Sequence, residues 1–142
     1  MVRPMDNLTR LERQIWLDEG YRQHPYKCSA NKLTIGVGRN IEDNGISKEE
    51  ALYLLRNDIM EVRVSLMRFS WFNRLDDARQ DAILNMAFNL GIPRFLSFKK
   101  MIEALIEMDY ELAADEALDS KWATQVGERA DRIARIIKHG KS

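Results

Sequence analysis

A chain of 142 residues, 45% hydrophobic and 31% charged, can bury one substantial core and leaves little room for a second, so a single compact domain is expected. Lysine plus arginine equals aspartate plus glutamate at 22 each, which excludes reliance on general attraction to nucleic acid. One cysteine excludes an internal disulfide, no Cys and His cluster has metal-ligand spacing, and the absence of any repeat or low-complexity run excludes a solenoid or disordered linker.

The start of the chain, Met1-Val2-Arg3-Pro4-Met5-Asp6, has neither an apolar signal core nor a spanning stretch, so synthesis in a cytoplasm without stable membrane association is expected. Leu8, Leu11, Ile15 and Glu19 then recur at helical spacing, with Asp6 or Asn7 as the expected cap and Gly20 as the stop. Alternation in Leu33-Thr34-Ile35-Gly36-Val37-Gly38, with a turn at Ser29-Ala30-Asn31-Lys32, predicts a hairpin from about Tyr26 to Asn40. Asn44-Gly45 marks a further turn. Ser47-Lys48-Glu49-Glu50 is a capping box opening a long helix whose apolar face carries Ala51, Leu52, Leu55, Ile59 and Val62.

Asp76 is placed to cap the next helix, in which Ala78, Ala82, Ile83, Met86, Ala87 and Leu90 are apolar over most of the circumference, as in a core helix; it ends at Gly91-Ile92-Pro93. Helices over Ser97 to Met108, Tyr110 to Leu118 and about Gly127 to His139 complete the set, and Trp16, Trp71 and Phe72 are assigned to packing. Charge is unevenly spread: Glu103 to Asp119 holds seven acidic residues and no basic one, whereas Lys121 to Ser142 holds six Lys or Arg against Glu128 and Asp131. Complementary solvated helix faces account for this, and a groove for an acidic polymer is the functional counterpart. The expected architecture is α+β and mainly α. A β-rich lobe of about residues 20–46, a connecting helix over 47–67 and a helical lobe over 68–142 are expected, with the N-terminal helix packed on the helical lobe and a cleft between the lobes.

Three reactive side chains, Glu19, Cys28 and Thr34, fall on the first helix end and the hairpin after it. A helix C-terminus and any burial would both favour the protonated form of Glu19, which makes it a candidate general acid. Cys28 stands where glycosidase chemistry leads one to expect a second carboxylate. A free thiol has a pKa near about 8.5, and a neighbouring Glu19 carboxylate would raise it, leaving a small thiolate fraction at neutral pH. Three roles stay open for it: a minor-population thiolate acting as base or nucleophile, a partner of Thr34 in orienting water, or a small packed residue. Glu42 and Asp43, read as lying in a turn, are alternative charges that could compensate for the missing carboxylate. His24 and His139 have no partner at a diagnostic spacing.

Glu19-Gly20, Cys28 and Thr34-Ile35-Gly36-Val37-Gly38, followed by Asn85-Met86-Ala87-Phe88-Asn89-Leu90-Gly91, Ser120-Lys121-Trp122-Ala123-Thr124-Gln125 and Arg129-Ala130-Asp131-Arg132, resemble in order the phage lysozymes, glycoside hydrolases of the T4 type. The resemblance covers about residues 8 to 140. It implies a lysozyme-like fold and hydrolysis of the β-1,4 bond between N-acetylmuramic acid and N-acetylglucosamine in peptidoglycan. Carried over, Glu19 matches the general acid, Cys28 falls on the catalytic aspartate and Thr34 on the threonine that positions water or substrate. Arg129 matches the arginine that approaches the acid, Trp122 a structural tryptophan, and Asn89 a polar cleft position; Gln125 joins Arg129 and Asn89 as a substrate-binding candidate. Arg39 stands where a histidine is common, which bears on a local ion pair rather than on catalysis.

The resemblance further implies a monomer with no metal or cofactor, whose partner is a peptidoglycan glycan strand. It implies a phage or prophage endolysin of a Gram-negative host, made in the host cytoplasm and released by a separate holin to act in the periplasm. Other classes remain: a lytic transglycosylase, which needs one acid and gives 1,6-anhydro products; a cysteine hydrolase at Cys28, which lacks a recognisable His and Asn/Asp set; and a non-catalytic murein-binding or virion protein.

Overall fold

The computed structural model describes residues 7–141, of which the secondary structure is mainly helical, 69%, with one three-stranded antiparallel sheet. The α+β, mainly α class read from the sequence is the observed one. Two compact units divide the chain between Leu52 and Tyr53, a boundary that falls within the third helix.

In the first unit, α1 (Arg10–Glu19) is opened by a reciprocal capping box: Thr9 Oγ1 accepts from the Glu12 N–H at 3.1 Å and Glu12 Oε1 accepts from the Thr9 N–H at 2.8 Å. The expected cap lay two or three residues too early. Asn7 does not cap α1 and Asp6 lies outside the described residues, while Thr9-Arg10-Leu11-Glu12 satisfies two orphan donors at once. The Gly20 stop is as expected, with φ 75° and its N–H donating to the Trp16 carbonyl at 2.8 Å. No residue of α1 is buried, and Leu11 and Ile15, which recur at helical spacing, are exposed.

Strands β1 (Arg22–Lys27), β2 (Leu33–Gly36) and β3 (Arg39–Asn40) form the sheet in the order β1-β2-β3. Pairing runs Lys27↔Leu33 and Tyr26↔Thr34, then slips to Arg22↔Gly36, so Gln23, His24 and Pro25 span an irregularity. Proline is tolerated there because β1 is an edge strand. The predicted Asn44-Gly45 turn is the end of a short helix, α2 (Ile41–Asn44), capped by Asn40 Oδ1 accepting from the Asp43 N–H at 3.1 Å. Glu42 and Asp43 are thus helical residues, not turn residues.

The expected capping box at Ser47 opens α3 (Lys48–Met67): the Ser47 N–H donates to Glu50 Oε1 at 2.8 Å and Ser47 Oγ accepts from the Glu50 N–H at 3.1 Å. Arg39 donates through Nη1 and Nη2 to the two Glu50 oxygens, and through Nη1 to the Gly45 carbonyl at 3.1 Å. Those hydrogen bonds, with the Ser47 N–H, hold the Glu50 carboxyl down to about 2. Arg39 therefore makes its own ion pair within this unit. The apolar face predicted for α3 is only partly inward: Leu66 is its one buried residue, and Ala51, Leu52, Leu55 and Ile59 are exposed.

The second unit holds the core. α4 (Ser70–Asn73) is short and was not foreseen, but its Trp71 and Phe72 are buried as expected. α5 (Asp77–Leu90) is capped as predicted by Asp76, and Ala82, Ile83, Met86, Ala87 and Leu90 are buried. Beyond Gly91 come α6 (Ile92–Leu96), with proline in its first turn, α7 (Lys99–Ile106), α8 (Tyr110–Leu118), α9 (Lys121–Val126) and α10 (Glu128–His139). The separate α9 was missed, although its signals are ordinary ones: Ser120 Oγ accepts from the Ala123 N–H at 3.1 Å and Gly127, at φ 59°, ends it. α10 buries Ala130, Ile133, Ala134 and Ile137, one stripe at helical spacing, and packs on α5 and α8. The acidic α8 and basic α10 do meet through charge, Glu111 to Lys138 at 3.6 Å, a pair exposed enough to contribute little to stability.

Candidate active site

The C-terminus of α1 puts Glu19 against the turn between β2 and β3. A Cβ on Gly38 would stand 2.9 Å from Glu19 Oε2 and 3.2 Å from its carboxyl carbon, and Gly38 has φ 75°. The second glycine of the Gly36-Val37-Gly38 turn is favoured by its left-handed backbone, and its missing side chain leaves room for the Glu19 carboxylate. Glu19 itself is exposed, so the burial contemplated for it is not found. Gly38→Ala is expected to cost about 1–3 kcal/mol of backbone strain and to displace the Glu19 carboxyl. Thermal unfolding reads the strain, and an unchanged unfolding temperature would show that the turn tolerates a side chain there.

Cys28 and Thr34 are brought together by the hairpin. The turn from Cys28 to Lys32 closes with the Cys28 N–H donating to the Lys32 carbonyl at 3.0 Å and the Asn31 N–H to the Cys28 carbonyl at 2.8 Å; Asn31 takes the left-handed conformation, φ 62°. Hydrogen bonding by the Lys32 backbone, the Thr34 hydroxyl and the Ala30 backbone lowers the thiol below its ordinary value, Lys32 contributing most. The direction is the reverse of that expected from a nearby Glu19 carboxylate. A tight turn presents convergent N–H donors to its first side chain, and their effect outweighs the small desolvation of the half-buried thiol.

Thr34 is the one buried polar side chain among the described residues, 3% exposed. Its hydroxyl donates to the Lys32 carbonyl at 2.8 Å, which ties Thr34 to the turn that carries Cys28.

The carboxylates of α2 are committed elsewhere. Glu42 Oε1 accepts from the Leu33 N–H at 3.1 Å and from Lys27 Nζ at 3.4 Å, while Asp43 Oδ1 accepts from Lys32 Nζ at 3.2 Å. The Leu33 N–H and Lys27 hold the Glu42 carboxyl below the usual carboxylate range. Each acid is matched by a lysine, so neither is a spare charge standing in for the carboxylate missing at Cys28.

The remaining candidates lie in the second unit. Half-buried Arg129 donates through Nε and Nη2 to Asn85 Oδ1 at 3.0 and 2.7 Å, a fork on one acceptor that fixes its guanidinium plane on α5. Asn85 is the partner that sequence reasoning did not single out. Leu55, Ile59, Val62, Leu84 and Phe88 floor a groove of about 400 Å³ beside this pair. Asn89 is exposed and accepts from Trp122 Nε1 at 2.9 Å through Oδ1, which supports the structural assignment of the buried Trp122. Gln125 is exposed on α9. Among the described residues no cluster of His, Cys, Asp and Glu has the arrangement of a metal site.

Residues 17–136 match the phage lysozyme family. The chain belongs to that family. All six site candidates, Glu19, Cys28, Thr34, Asn89, Gln125 and Arg129, fall inside the matched span. Two probable T4-type lysozymes of Dictyostelium discoideum are similar at 26% identity; one covers 94% of this chain and 96% of itself, the other 87% and 90%. The pre-baseplate central spike protein Gp5 of Enterobacteria phage T4 is 33% identical over 76% of this chain, which corresponds to 20% of that longer protein. Membership places the chain among the lysozyme-like cell-wall hydrolases.

Proposed function

We propose that this phage lysozyme is a muramidase that cleaves the β-1,4 bond between N-acetylmuramic acid and N-acetylglucosamine, with Glu19 as general acid and Cys28, as a thiolate, supplying the anionic group that a second carboxylate would otherwise provide. The observation that carries this reading is the tight turn that holds Cys28, closed by the Cys28 N–H on the Lys32 carbonyl and the Asn31 N–H on the Cys28 carbonyl, in which hydrogen bonding lowers the thiol below its ordinary value. Such a thiol gives up its proton more readily than a packed spectator cysteine. Glu19 gives its proton to the leaving oxygen. The oxocarbenium-like sugar is then met either by water that has passed a proton to the Cys28 sulfur, giving inverted product, or by that sulfur itself, forming a thioglycosyl intermediate whose C–S bond is broken by a second water that gives its proton to the Glu19 carboxylate, releasing retained product and the Cys28 thiolate. Thr34 orients the reacting water or sugar beside Cys28. Asn89, Gln125 and Arg129 are assigned to contacts with the glycan from the helical unit, and no metal or organic cofactor enters the reaction.

The test compares Cys28→Asp, Cys28→Ser and Cys28→Ala on purified peptidoglycan, with the anomer followed by NMR. Cys28→Asp is expected to stay within about tenfold of the parent, and Cys28→Ala and Cys28→Ser to fall about 10²-fold or more. Because the folded thiol titrates below its free value, parental activity rises with pH through that lowered thiol titration, and this limb is absent from Cys28→Asp. Full activity in Cys28→Ala eliminates the thiolate role, and a product lighter by one water identifies a transglycosylase instead.

We further propose an endolysin role: a monomer made in the host cytoplasm of a Gram-negative bacterium and admitted to the periplasm by a separate holin. The similarity to part of the T4 spike protein favours one second reading, a lysozyme carried on a virion component. Lysis on co-expression with a holin supports the first, and recovery of the chain in purified particles supports the second.

A further inference from the structure

The sheet leaves one backbone donor of β2 without a strand to pair with, and a carboxylate takes its place. β3 pairs with β2 at Ile35↔Arg39 and Thr34↔Asn40; the next residues, Leu33 and Ile41, fall beyond the ladder because α2 begins at Ile41. The Leu33 N–H therefore meets Glu42 Oε1, at 3.1 Å. A backbone donor at a strand end needs such a partner, and a charged acceptor makes the stronger bond.

That bond sits at the mouth of the turn bearing Cys28. Lys27 and Leu33 are the pair that closes the turn, and Glu42 touches both, taking the Leu33 N–H and Lys27 Nζ on Oε1; its Oε2 lies 3.7 Å from Nζ of Lys32, the last turn residue. Lys32 is anchored once more by Asp43 Oδ1 at 3.2 Å, and Asp43 Oδ2 accepts from Asn40 Nδ2 at 3.0 Å. Lys32, whose carbonyl accepts from the Cys28 N–H, and Thr34, whose hydroxyl donates to that same carbonyl, flank the clamped Leu33 on either side.

We propose that Glu42 is a positioning residue for the Cys28 site: by accepting the Leu33 N–H it holds the Cys28–Lys32 turn, and Thr34 beyond it, in register. The catalytic consequence rests on Cys28 acting in the reaction as proposed above; the positioning itself does not. A structural role alone would change unfolding temperature, whereas this one changes how readily the thiolate forms.

The test uses the intact chain and its one cysteine, following thiolate absorbance against pH with Cys28→Ser as the blank. Glu42→Asp keeps the negative charge opposite Lys27 and Lys32 but withdraws the acceptor by a methylene, so the midpoint is expected to rise by about one pH unit, roughly tenfold less thiolate at a given pH below it. Glu42→Gln keeps an acceptor for the Leu33 N–H without the charge, and is expected to hold a lower midpoint than Glu42→Ala, which keeps neither. On peptidoglycan, Glu42→Asp and Glu42→Ala are expected to lose kcat about tenfold with KM nearly unchanged, and Glu42→Gln to recover most of it. Equal midpoints for parent and Glu42→Asp, or for Glu42→Gln and Glu42→Ala, overturn the proposal. The midpoint is read whether or not the chain degrades peptidoglycan. Failure of the muramidase reading would appear in the parent enzyme and leave the thiolate measurement to judge Glu42.

Discussion

Glu19→Gln is expected to reduce peptidoglycan cleavage by about 10³-fold, within the range that general acid catalysis commands and with the poor leaving tendency of an unprotonated sugar alkoxide added to it. Glutamine keeps the length and polarity of the side chain, so the contact with the Gly36-Val37-Gly38 turn survives and only the transferable proton is lost. Because Glu19 is exposed at the end of α1 and α1 buries none of its residues, the substitution is expected to leave the unfolding temperature within about 1 °C. That separation of effects is what distinguishes an acid from a packing residue. Glu19→Asp, which retains the proton but retracts it by a methylene, should fall between the two. Retention of full activity by Glu19→Gln, measured as reducing ends released from purified sacculi, would remove Glu19 from the chemistry and leave a glycan-binding module.

Much of this was legible in the chain before any coordinates. The capping box at Ser47, the Asp76 cap, the Gly20 and Gly91 stops and the buried stripe of α5 follow from local rules: a side-chain oxygen three residues before an orphan N–H, or a glycine where the chain must turn left-handed. Where the reading failed, a competing local signal was present and weaker only in appearance. Thr9 with Glu12 outranks Asp6 and Asn7 because its box is reciprocal. β1 was recognised only from Tyr26, because Arg22-Gln23-His24-Pro25 has neither alternation nor β-branched residues, and an exposed edge strand needs neither.

The site divides the same way. The order of Glu19, Cys28 and Thr34 points to their chemistry from sequence alone. The sign of the shift on Cys28 does not, because it depends on hydrogen bonding within the turn once that turn has closed, which composition does not carry. The same is true of Glu42 and Asp43. In sequence they are two acids beside a glycine, available as spare charge; in space each faces a lysine, and Glu42 completes a strand end. Arg129 was read through Glu19, yet its hydrogen bonds are to Asn85, forty-four residues away, a pairing that helical periodicity cannot reveal.

Arg79→Ala is expected to produce the largest loss of stability among changes of exposed or half-buried polar residues, about 3 kcal/mol, or roughly 10 °C in Tm. Arg79 lies in the first turn of α5 and closes the far end of α10. Its Nε donates to the Ile137 carbonyl at 2.6 Å and its Nη2 to the Lys138 carbonyl at 3.0 Å, two of the carbonyls that a helix end leaves without intrahelical donors. The positive guanidinium also faces the negative end of the α10 dipole. Its Nη1 pairs with Asp76 Oδ1 at 3.0 Å, so the residue that caps α5 is tied to the residue that caps α10. The guanidinium lies over the Tyr110 ring at 3.8 Å, joining the start of α8 to the same point, and the side chain is only 16% exposed, so these interactions are weakly screened. Gly140 completes the fit: a Cβ there would meet Arg79 Nη1 at 3.0 Å. Arg79→Lys restores a charge at the helix end but cannot fork to two carbonyls and stack at once, so it should recover less than half of the loss. Thermal and urea unfolding of the two variants beside the parent measure this directly. A loss under about 1 kcal/mol in Arg79→Ala would mean that water satisfies the α10 carbonyls as well as the guanidinium does.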